Sequence, residues 1–160
     1  MVVVADTTPI NYLLLIGEIR LLPALYGIII VPRAVANELR DVDAPEIVKV
    51  WMAAPPGWLH EHILSAPPRP EIPDLDSGES EAIELALKLK SSLVLLDEAK
   101  GRAAAINLNL QVRGTVGILI EAAVAGLVDL EASLDKLEAT NFHMTPALRK
   151  QAVRSAKGHQ

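Results

Sequence analysis

The chain has no cysteine among its 160 residues. That excludes a disulfide framework and any thiolate metal site, and it fits a reducing compartment. Aromatic residues are scarce, at two Trp, two Tyr and one Phe, so the core must be built from Leu, Ala, Ile and Val, the mixture expected of helices packed on a parallel sheet. Every long apolar run meets a charge or a proline well before about 18 residues, which leaves no segment suited to crossing a membrane. The opening MVVVADTTP has no basic stretch ahead of an apolar one and does not read as a signal peptide. The expected location is the cytoplasm.

What is present is one domain's worth of apolar sequence, 51% hydrophobic, with a net charge of −5. The negative balance argues at first against nucleic acid, but its distribution weakens that objection. Removing four candidate site acids from the 20 acidic residues leaves them nearly matched to the 15 basic ones. The tail from about residue 139 carries Arg149, Lys150, Arg154 and Lys157 and no acid.

Short β-branched apolar runs alternate with helical patterns. Val2–Ala5, Ile28–Val31 and Ser92–Leu96 read as buried strands, Trp58–Leu64 as an edge strand, and Gln111–Arg113 as a last short one. Between them lie helices expected from Thr7, from Glu18 to Tyr26 with a break near Pro23, over PRAVANELR, from Asp43 to about Ala54, over DSGESEAIELALKLK, from Glu98 to Ile106, and over Val116–Ala125. Two more, near 130–139 and 145–156, close the chain. Residues 65–76, with four prolines and no period, read as an extended connection. Alternation of this kind predicts a single α/β domain with a parallel sheet covered on both faces.

Two of the strongest strands, VVVA and LVLL, are each followed at once by an aspartate, Asp6 and Asp97. Ligands of open α/β sheets gather beyond the carboxyl ends of strands. If the two strands are neighbours, the carboxylates converge and repel unless a cation neutralises them. Hard oxygen donors of this kind suit Mg²⁺ or Mn²⁺. The bland reading of each is a helix cap. Glu38 falls on the apolar side of its helix with Val35, Leu39 and Val42, where a carboxylate needs a partner; the alternative is that it sits at the edge of the stripe and reaches solvent, Arg33 or Arg40. Glu79 shares a face with Ala82, Ile83 and Ala86, while Asp76-x-x-Glu79 also resembles a capping box. Glu81, in line with Leu85 and Leu89, competes with Glu79, and Glu98 is a further possible ligand. His60 and His62 flank Glu61, but without a third ligand they read as surface histidines. Trp51, Trp58 and Tyr26 read as core or interface residues. Gly101, Gly114 and Gly117 form no phosphate-binding fingerprint.

The ordered set ADTTPINYL, VPRAVANELR, GESEAIELA and LVLLDEAKGRAAAINL resembles the PIN-domain superfamily. The segments GESEAI, LLDEAKGRAA and GTVGIL look like those of a VapC-like branch. The resemblance runs from Val2 to about Leu130 and implies a three-layer sandwich with a central parallel sheet flanked by helices. It also implies an acid cluster binding Mg²⁺ or Mn²⁺, cleavage of single-stranded RNA, and, for a toxin of that branch, an antitoxin partner and a homodimer. Carried over residue by residue, the ligands are Asp6, Glu38, Glu79 and Asp97. Lys100 and Arg102, one turn past Asp97, are candidate phosphate contacts, with Thr7 and Thr115 as weaker candidates for substrate binding. The third acid departs from the family pattern, in which an Asp opens the helix DA-x-IAA. That departure keeps open a catalytically degenerate PIN fold that binds RNA or protein. Haloacid-type phosphatases want a second Asp where this chain has Asp6-Thr7-Thr8, and receiver domains want an adjacent acidic pair there.

Overall fold

A computed structural model describes residues 1–158; His159 and Gln160, the end of the basic tail, lie outside the described residues. Five strands, β1 (Val3–Ala5), β2 (Ile29–Pro32), β3 (Leu59–His62), β4 (Leu93–Leu95) and β5 (Val112–Arg113), form one sheet of order β3-β2-β1-β4-β5. All of its pairings are parallel. The chain moves outward from β1 through β2 to β3, then returns to the other side of β1 for β4. The order therefore reverses between β1 and β4, and this is the switch point at which parallel sheets leave a crevice.

Nine helices are described: α1 (Thr7–Leu15), α2 (Leu21–Tyr26), α3 (Arg33–Arg40), α4 (Glu46–Ala53), α5 (Ser77–Leu89), α6 (Ala99–Asn107), α7 (Thr115–Val124), α8 (Leu130–Glu138) and α9 (Pro146–Lys157). They cover both faces of the sheet, as the alternation of sequence patterns predicts. Side chains of a strand point alternately to opposite faces. Accordingly Val3, Ala5, Leu93 and Leu95 join a core with Ile10, Leu13, Leu22, Val35, Ile118 and Leu134, whereas Val4, Val94 and Leu96 join a second core with Ile83, Ala86 and Ala105. The helices α5 and α6 thus supply the core of one face, and the remaining helices that of the other.

Three local details differ from the sequence reading. The helix expected from Glu18 begins only at Leu21, and Pro23 falls in its first turn, where a missing N–H leaves no bond unmade. No break is needed there. Val42 lies beyond the end of α3 and is 79% exposed, so it does not extend the buried stripe of Val35 and Leu39. The basic C-terminal segment is docked: Ala152 and Ala156 of α9 are buried in the larger core, and Arg149 pairs with Asp135 and Glu138.

Candidate metal centre

Asp6 follows β1 directly and its amide donates to the Leu95 carbonyl of β4 at 2.9 Å, so the first aspartate is fastened to the strand that leads to the second. The register pairs Ala5 with Leu95. Asp6 therefore stands across from Leu96, and Asp97 comes one residue later.

On the α5 side, Asp6 is buried and its Oδ1 has no hydrogen-bond partner. Around it stand Glu38 from α3, and Asp76 and Glu79 from the start of α5. The Thr7 hydroxyl donates to Glu38 Oε2 at 2.5 Å, fixing that carboxylate. Gly78 is the residue that lets the group assemble. A Cβ there would stand 2.5 Å from Glu38 Oε1 and 3.1 Å from Asp6 Oδ1, so the absent side chain is the space into which both oxygens project. Asp76 caps α5 by accepting from the Glu79 amide at 2.8 Å, which sets the first turn and with it the buried Glu79 side chain.

The electrostatics follow from that crowding. Burial pushes the Asp6 carboxyl up to about 8, against a bond from the Thr7 amide, and the charges of Glu38, Asp76 and Glu79 add to the rise. Burial raises Glu79 to about 6, with Asp76, Glu98 and Glu38 contributing. Glu38 is raised by burial as well, although the Thr7 hydroxyl and the Gly78 amide pull the other way. With its carboxyl pushed up to about 8, Asp6 holds a proton at neutral pH unless a cation takes its place.

Asp97 has both oxygens engaged. Thr115, the first residue of α7, donates its amide to Oδ1 at 2.7 Å and its hydroxyl to Oδ2 at 2.6 Å. Burial raises the Asp97 carboxyl, opposed by these two bonds and by the nearby Arg102 guanidinium. Gly114 makes room here: a Cβ would lie 2.8 Å from both Asp97 Oδ1 and Arg102 Nη1. Asp97 and Arg102 line a cavity of about 490 Å³ whose other walls include Thr8, Tyr12, Phe142 and His143.

Of the residues singled out in the sequence, Asp6, Glu38 and Glu79 come together, and Asp97 stands beyond the neighbouring strand. The Glu81 carboxylate accepts from the Ala34 amide at 3.2 Å, at the N-terminus of α3, and so serves that helix end. Glu98 is exposed at the start of α6. The exposed Lys100 borders a shallow groove with Asp76, Glu79 and Glu98. The hydroxyls of Thr7 and Thr115 are spent on carboxylates. The alternative for Glu38, an ion pair with Arg33 or Arg40, is not adopted, because both arginines bind Glu61. Sequence reasoning treated Asp76 only as a cap, though its charge acts on Asp6, Glu38 and Glu79. It passed over Tyr12 and Phe142 altogether, since they are far apart in the chain.

Among the described residues no group of three or more His, Cys, Asp or Glu forms a ready-made cage. The donors nevertheless fit a hard divalent ion that keeps several waters and needs only one or two carboxylates. All are oxygen, one is a buried carboxylate oxygen without a partner, and a glycine leaves the space before it open.

A parallel sheet in this order, with carboxylates beyond β1 and β4 at its switch point, defines a PIN-like α/β protein. The profile of the DUF3368 family, described as a PIN domain, matches residues 2–158, and the chain belongs to that family. PIN domains are generally metal-dependent nucleases, so membership indicates a nuclease-type function. Comparison with curated proteins and with solved structures gave no match.

Proposed function

We propose that the protein is a metal-dependent endoribonuclease acting on single-stranded RNA, a VapC-like toxin by the order of its GESEAI, LLDEAKGRAA and GTVGIL segments. The observation that carries the reading is the buried, unpartnered Asp6 Oδ1, beside Glu38 and Glu79 whose carboxyls are raised like its own. Burying so many carboxylates together costs stability, and a divalent cation offsets that cost. The residues that would hold Mg²⁺ or Mn²⁺ are Asp6 and Asp97, with Glu38 and Glu79 holding waters or a second ion. When bound, the ion supplies Lewis acidity to a water and to a phosphate oxygen.

The chain's own residues have distinct tasks in this scheme. Glu38, fixed by the Thr7 hydroxyl, and Glu79, fixed by the capped start of α5, are oriented acceptors for a water's protons. Thr115 holds Asp97 in one orientation through two bonds. Arg102, beside Asp97 in the cavity wall, is placed to bind a phosphate oxygen and offset the charge that develops on it. Such a toxin role implies an antitoxin that covers the acidic site, and a homodimer. A short reading frame abutting the gene is the cheapest observation bearing on the partner.

The test is direct. Purified protein cuts single-stranded RNA with Mn²⁺ or Mg²⁺, stops in chelator, and loses the activity in Asp6→Asn and Asp97→Asn. Cleavage that survives both substitutions and chelator sinks the mechanism. Intact metal binding without cleavage of any RNA supports a degenerate binding module instead.

A further inference from the structure

Of the chain's five aromatic residues, counting two Trp, two Tyr and one Phe, two meet in one place. Tyr12 of α1 and Phe142 of the α8–α9 connection form an edge-to-face pair, with ring centroids 5.0 Å apart and planes at 88°. Both rings line the cavity that also holds Asp97, Arg102, His143 and Thr8. In a chain so poor in rings, placing two of them beside a site acid is a concentrated feature. Ordinary core packing explains only part of it, because each ring stays partly exposed.

The pair is also held still. The Tyr12 hydroxyl donates to Asn141 Oδ1 at 2.9 Å, and Thr140 Oγ1 accepts from the Phe142 amide at 3.1 Å while donating to the Leu137 carbonyl at 2.5 Å. The first bond ties the Tyr12 ring to the connection that carries Phe142, and the others anchor the Phe142 backbone, which lowers the ordering cost of binding. The volume, about 490 Å³, is within the range of sites for small organic groups. The walls offer two aromatic rings together with a guanidinium and an imidazole. That combination matches a nucleotide, with its base on the rings and its phosphate on the cation.

We infer that this cavity is a base-stacking subsite, in which the base of a nucleotide flanking the scissile phosphate rests against Phe142 and Tyr12 while Arg102 holds its phosphate. The inference rests on the ribonuclease reading for the position of the scissile phosphate. It adds the element that selects single strands, because a base must leave its helical stack to enter. Stacking on ring faces is sequence-tolerant, so the subsite recognises an unpaired nucleotide and not a particular base.

The experiment is an anisotropy titration in chelator, where no cleavage occurs. A labelled single-stranded RNA and a duplex of equal length are used with wild type, Phe142→Leu, Tyr12→Leu and Arg102→Gln. The leucine variants keep an apolar filler at each position, and thermal unfolding checks that each is folded. Expected is a loss of about tenfold in single-strand affinity for Phe142→Leu, a smaller one for Tyr12→Leu, no change toward duplex, and, in a separate calorimetric titration without chelator, unchanged Mn²⁺ binding. Arg102→Gln weakens single-strand binding and flattens its salt dependence. Unaltered single-strand affinity in both leucine variants, or no single-strand binding by the wild type, overturns the inference. Cleavage without aromatic dependence removes the subsite and leaves the ribonuclease reading standing. Ring-dependent binding without cleavage does the reverse.

Discussion

Asp6 and Asp97 occupy equivalent places after neighbouring parallel strands, yet their surroundings are opposite. Asp6 is buried among like charges with one oxygen unpartnered, and its carboxyl is pushed up to about 8. Asp97 has both oxygens bonded to Thr115, and Arg102 counters part of its rise. The difference shows that two strand-end acids of one sheet can be prepared in different ways. Thr115 and Arg102 preorganise Asp97 without a cation. Asp6 and its neighbours are left in a state that a cation relieves.

The largest effect that bears on this contrast is expected from Asp6→Asn. Mn²⁺ affinity and RNA cleavage should fall by more than about 100-fold, measured by calorimetry and by a cleavage assay. The same substitution should stabilise the metal-free protein at pH 8. The folded carboxyl keeps its proton up to about 8, whereas the unfolded one loses it near 3.8. Between those values the folded state binds more protons than the unfolded state, so metal-free stability falls as pH rises through that window. Asn has no proton to lose, so between about pH 6 and 8, above the Glu79 carboxyl, its thermal midpoint should fall less than the wild type's. An equal decline in both proteins would contradict the assignment of the charge strain to Asp6.

Thr115→Val is expected to lower cleavage by about 10- to 100-fold, because it removes one of the two bonds that orient Asp97 and keeps the side chain's shape. Unfolding should shift little more than for the loss of one buried hydrogen bond, about 1 kcal/mol. Activity equal to wild type would mean that the Thr115 amide alone suffices.

Gly78→Ala should reduce Mn²⁺ affinity by roughly tenfold, since the new methyl meets Glu38 and Asp6 oxygens that otherwise fill that space. Those oxygens end flexible side chains and can yield, and Ala is favoured over Gly in a helix by about 1 kcal/mol. Metal-free stability should therefore hold or rise while affinity drops. A loss of stability with affinity intact would show that Gly78 serves packing only.

The smallest effect is expected from Glu81→Gln, under about threefold on metal affinity, because that carboxylate serves the Ala34 amide. Glu79→Gln should cost more. A reversed ranking, read by the same calorimetry, would exchange their roles.

Much of this arrangement was legible in the sequence. Unbroken apolar runs marked the buried strands, and the aspartates directly after VVVA and LVLL marked the ends that face a crevice. Asp76-x-x-Glu79 marked the start of α5, and Asp76 does cap it. What could not be read was the register of β1 against β4. The pairing of Ala5 with Leu95 puts Asp97 one residue beyond the partner of Asp6. Which of Glu79 and Glu81 lies beside Asp6 depended on the position of α3, whose amide at Ala34 bonds Glu81. Tyr12 and Phe142 have no local signature, because a pocket wall drawn from both ends of a chain appears only once α9 docks.

The central claim is that the Asp6 group is built for a cation, and Mn²⁺ titration by calorimetry at pH 6 and pH 8 tests it most directly. The account predicts binding by the wild type that releases protons and tightens from pH 6 to pH 8, as the Asp6 carboxyl gives up its proton. In Asp6→Asn the binding should be lost at both values. Equal Mn²⁺ affinity in wild type and Asp6→Asn, with no pH dependence in either, would contradict it.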